Sequence, residues 1–258
     1  MRTAAAKDTK LVRGIELRRD PAREPCFEIV HVHHDVPDSG AETLEAQRQR
    51  AHREYNQEVQ TLEIAALCLV DYPEAPWELR IELARQCWDE ARHSELAYRH
   101  LCELGGWKGM YPIANLDWSV VAMLDSLPAR LAVQLRTFEA GSLDVENVAP
   151  AMLRDMGQDP LADIIEAIEA DEVQHVRFGN EWVKRLTTAD PRAVLQVASA
   201  MAWLQKVVER TGDDALKEIA TIGSARQLAG FSQGEVNEVA RLERTVLQRS
   251  ATAPGDPQ

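Results

Sequence analysis

The chain has 258 residues, 45% of them apolar and 5% aromatic, with a formal net charge of −13. That length buries a sizeable core, and the acid excess argues against the basic footprint a nucleic-acid binder needs. No apolar run is long enough to span a bilayer, and the opening MRTAAAKDTKLVRG lacks the apolar stretch of a secretory leader.

Residues 1–40 read as an irregular N-terminal extension, rich in Pro and charge, with one β-like stretch from Phe27 to Val32. The tract His31-Val32-His33-His34-Asp35 has metal-binding composition, although a surface edge accounts for it as well. Ser39-Gly40-Ala41-Glu42 has capping-box spacing and predicts a helix from about Ala41 to Val70. Asp71 to Pro76 forms a turn, with Pro76 suited to the first position of a second helix that stops at Gly105-Gly106. A loop over 108–115 is long enough to cross one end of a bundle, and Asp117 caps a short helix. Ser126-Leu127-Pro128 opens or kinks a third long helix. Gly157 to Pro160 makes the next turn, before a fourth helix to about Leu186. Helical patterns follow at 192–210, 214–219 and 233–248, and the tail from Ala251 reads as disordered. The expected fold is all-α: two antiparallel hairpins joined by a crossover over 41–188, with C-terminal helices over 189–250 packed on them.

One word occurs twice, as Asp89-Glu90-Ala91-Arg92-His93 and Asp171-Glu172-Val173-Gln174-His175. A Glu and a His three residues apart on a helix point the same way. Both words sit on apolar stripes: Leu79, Leu83, Gln86, Glu90, His93, Ala97 and Leu161, Ile165, Ile168, Glu172, His175, Gly179. Glu58 and Glu139 occupy the corresponding stripes of the other two helices. Four carboxylates facing one core need cations or protons between them, and two divalent ions balance them. Bundles build two-metal carboxylate centres from this donor set.

Hairpin register distinguishes Glu58 from Glu63. Glu139 and the 172/175 pair have a midpoint near residue 156, beside the turn at 157–160; Glu58 and the 90/93 pair have theirs near 75, inside the turn at 71–76. Glu63 would move that midpoint to about 77. The expected ligands are therefore Glu58, Glu90, His93, Glu139, Glu172 and His175, with Glu63 beside the site. Asp89 could accept the distal N–H of His175, and Asp171 that of His93.

Over about residues 43–187 the chain resembles the ferritin-like di-iron carboxylate superfamily. Asn56-Gln57-Glu58-Val59-Gln60-Thr61-Leu62-Glu63, Phe138-Glu139-Ala140-Gly141-Ser142-Leu143-Asp144 and Asp171-Glu172-Val173-Gln174-His175-Val176 resemble a bacterial ferritin-like family of unknown function. The chain departs from it at Asn56, where the family often has His, and at Gly141-Ser142. The resemblance implies a ferritin-like four-helix bundle, with Glu90 and Glu172 bridging two metals, Glu58 and Glu139 terminal, and one His on each. Oxygen-rich ligation suits two Fe ions, or Mn/Fe or two Mn, better than Zn. Gly141-Ser142 could permit a π-bulge.

The expected activity is an O2-dependent oxidase or oxygenase for a small organic substrate, supplied by an external electron donor. Leu62, Leu135 and Leu143 would wall an apolar pocket, with Tyr55 and Ser142 as polar contacts. Peroxide disproportionation by a dimanganese centre, ferroxidase or iron binding, and a purely structural metal are the alternatives. The four cysteines form no C-x-x-C pair, which fits reduced thiols and a cytoplasmic setting. No membrane or nucleic-acid partner is expected, and a homodimer is open to it.

Overall fold

The computed structural model describes residues 8–37, 39, 43–211 and 223–241. The expected tail, the pattern at 214–219 and residues 40–42 of the capping motif lie outside them. The protein is mostly helical. Helix α1 (Leu44–Asp71) starts at Thr43, whose hydroxyl accepts the Ala46 N–H at 3.1 Å, rather than at the earlier serine. A five-residue turn leads to α2 (Trp77–Glu103), with Pro76 in the cap position just before the helix. After a short α3 (Leu116–Val121), capped at Asn115 instead of Asp117, the third helical segment is broken. It runs as α4 (Leu127–Val133), a π-helical turn (Gln134–Glu139) and α5 (Ala140–Glu146), followed by α6 (Ala149–Asp155). Helices α7 (Asp159–Ala189), α8 (Pro191–Thr211) and α9 (Gly223–Leu228) follow, and residues 233–241 are helical.

Helices α1, α2, α4 with its π-turn, and α7 share one apolar core. It contains Ala65 and Cys68, Leu79 and Leu83, Leu127, Leu131 and Leu135, and Phe178 and Val183. Gly179 sets the closest approach of α7 to the π-turn. A Cβ there would lie 2.3 Å from Leu135 Cβ, so only glycine lets the two segments meet.

The N-terminal extension is more ordered than its composition suggests. Strands β1 (Thr9–Val12) and β2 (Ile15–Arg18) form an antiparallel hairpin. Arg13 (φ 47°) and Gly14 (φ 83°) take the left-handed conformations of a tight two-residue turn. The hairpin buries Val12 and Leu17 in a core shared with Leu116, Val120, Leu204 and Val207. Strand β3 (Ile29–Val30), inside the expected 27–32 stretch, pairs in parallel with β4 (Ile113–Ala114) in the crossing loop. The Ala114 carbonyl accepts from Asn56 at 3.0 Å and Gln60 at 3.2 Å, which pins that loop to α1.

Candidate metal centre

Each of the six sequence-predicted ligands is at most 6% exposed. Their donor atoms fall into two overlapping groups: Glu58, Glu90, His93 and Glu172; and Glu90, Glu139, Glu172 and His175. Within each group, one donor atom from every residue lies within 4.8 Å of the others. Glu90 and Glu172 belong to both groups.

Both imidazoles turn the same edge inward. His93 Nδ1 lies 3.1 Å from Glu90, 3.4 Å from Glu58 and 3.5 Å from Glu172. His175 Nδ1 lies 3.3 Å from both Glu90 and Glu172, without good hydrogen-bond alignment to either. The outward Nε2 atoms cross over as the sequence suggested: His93 faces Asp171 and His175 faces Asp89, each at 3.2 Å. Arg92 ties the two aspartates together, at 2.8 Å to Asp89 and 2.6 Å to Asp171. A carboxylate on Nε2 holds its proton there and leaves the Nδ1 lone pair free for a cation.

The electrostatics describe a site built for positive charge. Burial pushes Glu58 and Glu139 well above the usual carboxylate range and raises Glu172, with neighbouring carboxylates adding to each shift. Burial would also raise Glu90, but the close imidazoles of His175 and His93 outweigh it and hold Glu90 at about 2. Burial opposes charging His93, yet Glu58 and Glu90 lift it to about 11; His175 also rises well above its ordinary value through Glu172, Asp89 and Glu90. Without metal, the surrounding carboxyl groups thus favour the protonated forms of both imidazoles. Glu139 Oε2 and Glu172 Oε2 are buried with no hydrogen-bond partner. Such orphaned acceptors fit a cation-binding site.

Several supporting residues escaped the sequence reading. Gln86 donates to Glu139 at 2.7 Å and to Glu90 at 3.2 Å, and Gln134 donates to Glu139 at 3.4 Å. Gln86 had a visible signal, as a polar residue on an apolar stripe one turn before Glu90. Gln134 had none, because the π-turn brings it round. That turn ends at Glu139, just before the expected Gly141-Ser142, and Thr137 accordingly donates to the Ala132 carbonyl five residues back at 3.0 Å. Two further carboxyls border the site: Glu54, one turn before Glu58, and buried Glu146, which has an unpartnered oxygen, with burial raising both.

Other expected residues lie elsewhere. Glu63 forms a two-pronged pair with Arg23 at 2.6 and 2.8 Å, so its charge is neutralised by the N-terminal extension. Tyr55 stacks on Phe27 and packs 5.4 Å from the Tyr98 ring, with Lys108 over both tyrosines. Ser142 is partly buried on α5. Of the three expected wall residues, only Leu135 lines the cavity beside the site, with Ile64, Ala65, Cys68, Leu83, Gln86, Arg130, Leu131 and Gln134. Leu143 is instead packed against Val176, Ala225 and Phe231, and Leu62 is only partly buried. The cavity's volume of about 10 Å³ accommodates a water-sized guest. His33 forms part of a short 3₁₀ turn and lies 3.8 Å from Asp117.

The fold and site define a mostly helical protein with a buried carboxylate–imidazole cluster that could hold metal. Residues 2–237 match the family described as "Protein of unknown function (DUF455)", and the chain belongs to that family. It is also 26% identical over 159 residues to an "Uncharacterized protein" of Haemophilus influenzae, covering 61% of this chain and 53% of that protein. The chain thus spans about half the length of that curated relative. No solved structure matches. Among the described residues, no helix is long and apolar enough to cross a membrane.

Proposed function

We propose that this protein is a ferritin-like dinuclear metal oxidoreductase that reacts with O2, with two Fe ions as its first-choice cofactor. The observation that carries this reading is the pair of four-residue donor groups sharing Glu90 and Glu172. One His and several carboxylates per ion favour Fe or Mn over Zn. Four carboxylates and two neutral imidazoles balance two divalent ions.

Two redox-active ions held by these residues would supply electron transfer to O2, with the remaining electrons drawn from an external donor or from the substrate as it is oxidised. The protein's own contribution is positional. Asp89 and Asp171 keep the Nε2 protons outward, Arg92 fixes both aspartates, and Gln86 and Gln134 hold one oxygen of Glu139 so that the other faces the site. Burial keeps bulk water away. Metal binding displaces the protons carried by His93 and His175, so uptake releases acid.

The cavity size favours a second reading. A water-sized space leaves no room for an organic substrate unless Leu135 and Gln134 on the π-turn move. Peroxide disproportionation by two Mn ions needs no pocket for an organic substrate. The discriminating experiment loads the protein with Fe or Mn, reduces it anaerobically and adds O2 or peroxide. An O2-dependent charge-transfer band at about two Fe per chain supports the first reading. Catalytic O2 release from peroxide with Mn supports the second. Iron uptake far beyond two per chain would indicate storage, and inert metal binding a structural role.

A further inference from the structure

Helix α2 carries Glu90 and His93 on its inner face, and its outer face bears an apolar seam. Trp77 is 68% exposed, Ile81 49% and Trp88 66%. With exposed Ala84 between them, these residues are spaced four, three and four apart. At 100° per residue they fall within an arc about 60° wide. Isolated exposed apolar residues are ordinary, but two indoles and an isoleucine in one line mark a contact surface.

We propose that this seam is a two-fold interface between two copies of the chain, formed by antiparallel packing of their α2 helices. The order of residues is what selects a second copy. With the axis near residues 82 and 83, Trp77 meets the partner subunit's Trp88, and Ile81 meets the partner subunit's Ala84. The same contacts recur by symmetry, as an isologous interface requires. The charges agree with this direction. Exposed Glu78 and Arg85 lie on one shoulder of the seam, Arg85 also standing 3.5 Å from Asp89 on its own helix, so reversal places Glu78 opposite the partner subunit's Arg85, twice.

Area sets the expected strength. The two indoles and Ile81 offer roughly 400 Å² per copy, against about 800 Å² per partner in a standard stable interface. The shoulder residues supply part of the difference, so association is concentration-dependent.

The test is sedimentation velocity of the full chain between about 1 and 100 µM. The expected mass rises from the 28.9 kDa of one chain towards twice that value. Trp77→Ala with Trp88→Ala should weaken association at least about 100-fold, while circular dichroism shows the helices retained. Glu78→Arg should weaken the dimer, and adding Arg85→Glu in the same chain should restore it. A single-chain mass at every concentration overturns the proposal, as does a dimer indifferent to the tryptophan changes. Failure of the paired charge reversal to restore association overturns the antiparallel geometry.

Discussion

Replacing Glu139 by Gln should change stability in opposite directions with and without metal. In the metal-free protein Glu139 is buried, with Oε2 unpartnered and the carboxylates of Glu172 and Glu90 adding to its discomfort. Glutamine keeps the oxygen that Gln86 and Gln134 hold and replaces Oε2 with an amide that donates to a neighbouring carboxylate. Relieving one orphaned buried acceptor stabilises by about 1–3 kcal/mol. For a chain of this size that raises the metal-free melting temperature by roughly 2–10 °C. Metal at a thousandfold excess over its dissociation constant stabilises wild type by about 4 kcal/mol, and the variant should lose most of that gain at the site it shares with His175. Differential scanning fluorimetry with and without Fe(II) or Mn(II) reads both effects. A metal-free variant less stable than wild type, or a metal-induced shift equal to that of wild type, would refute the reasoning.

Other substitutions probe the remaining parts. Glu172→Ala should abolish binding of both ions, whereas Glu63→Gln should leave stoichiometry unchanged; elemental analysis after dialysis reads each. Asp171→Asn removes the acceptor at His93 Nε2 and should weaken metal binding about 10–100-fold, measured by competition with a chelating dye. Gly179→Ala drives a methyl into Leu135 and should cost about 1–3 kcal/mol or more, visible in urea melts. The pH dependence follows from His93, whose folded value is raised to about 11. Its stabilisation of metal-free protein is complete below about 6.5 and is lost as pH rises towards 11. Raised Glu58, Glu139 and Glu172 act in the same direction once pH exceeds their unfolded value, so metal-free stability should fall across the alkaline range. Metal-loaded protein, whose imidazole protons have left, should lack the His93 part of that decline. Melts over a pH series check both curves.

The six-residue cluster was legible because helical periodicity ties sequence spacing to direction. Three-residue steps put Glu90 with His93 and Glu172 with His175, and equal distances from the turns selected Glu58 over Glu63. The crossed contacts of Asp89 and Asp171 followed from the same two-fold logic. What the sequence hid depends on tertiary structure. The third helical segment reads as one helix, yet its π-turn rotates Gln134 towards Glu139, a shift helical spacing does not encode. Leu143 lies on the predicted stripe, but α9 and Phe231 cover it, so it does not wall the cavity. The hairpin at 9–18 had a local signal, Arg13-Gly14 between alternating apolar residues, that the Pro-rich composition around it masked. Arg92 carries no partner signal in the first word; only the approach of α7 brings Asp171 to it.

The central claim is that six side chains hold two metal ions, with Glu90 and Glu172 shared. Its most direct test is a crystal structure of Fe- or Mn-loaded protein with anomalous diffraction collected at the metal edge. The account predicts two anomalous peaks, one beside His93 Nδ1 and Glu58, the other beside His175 Nδ1 and Glu139, both in contact with Glu90 and Glu172. A single peak, peaks outside this cluster, or a fully loaded protein with none at these residues would contradict it.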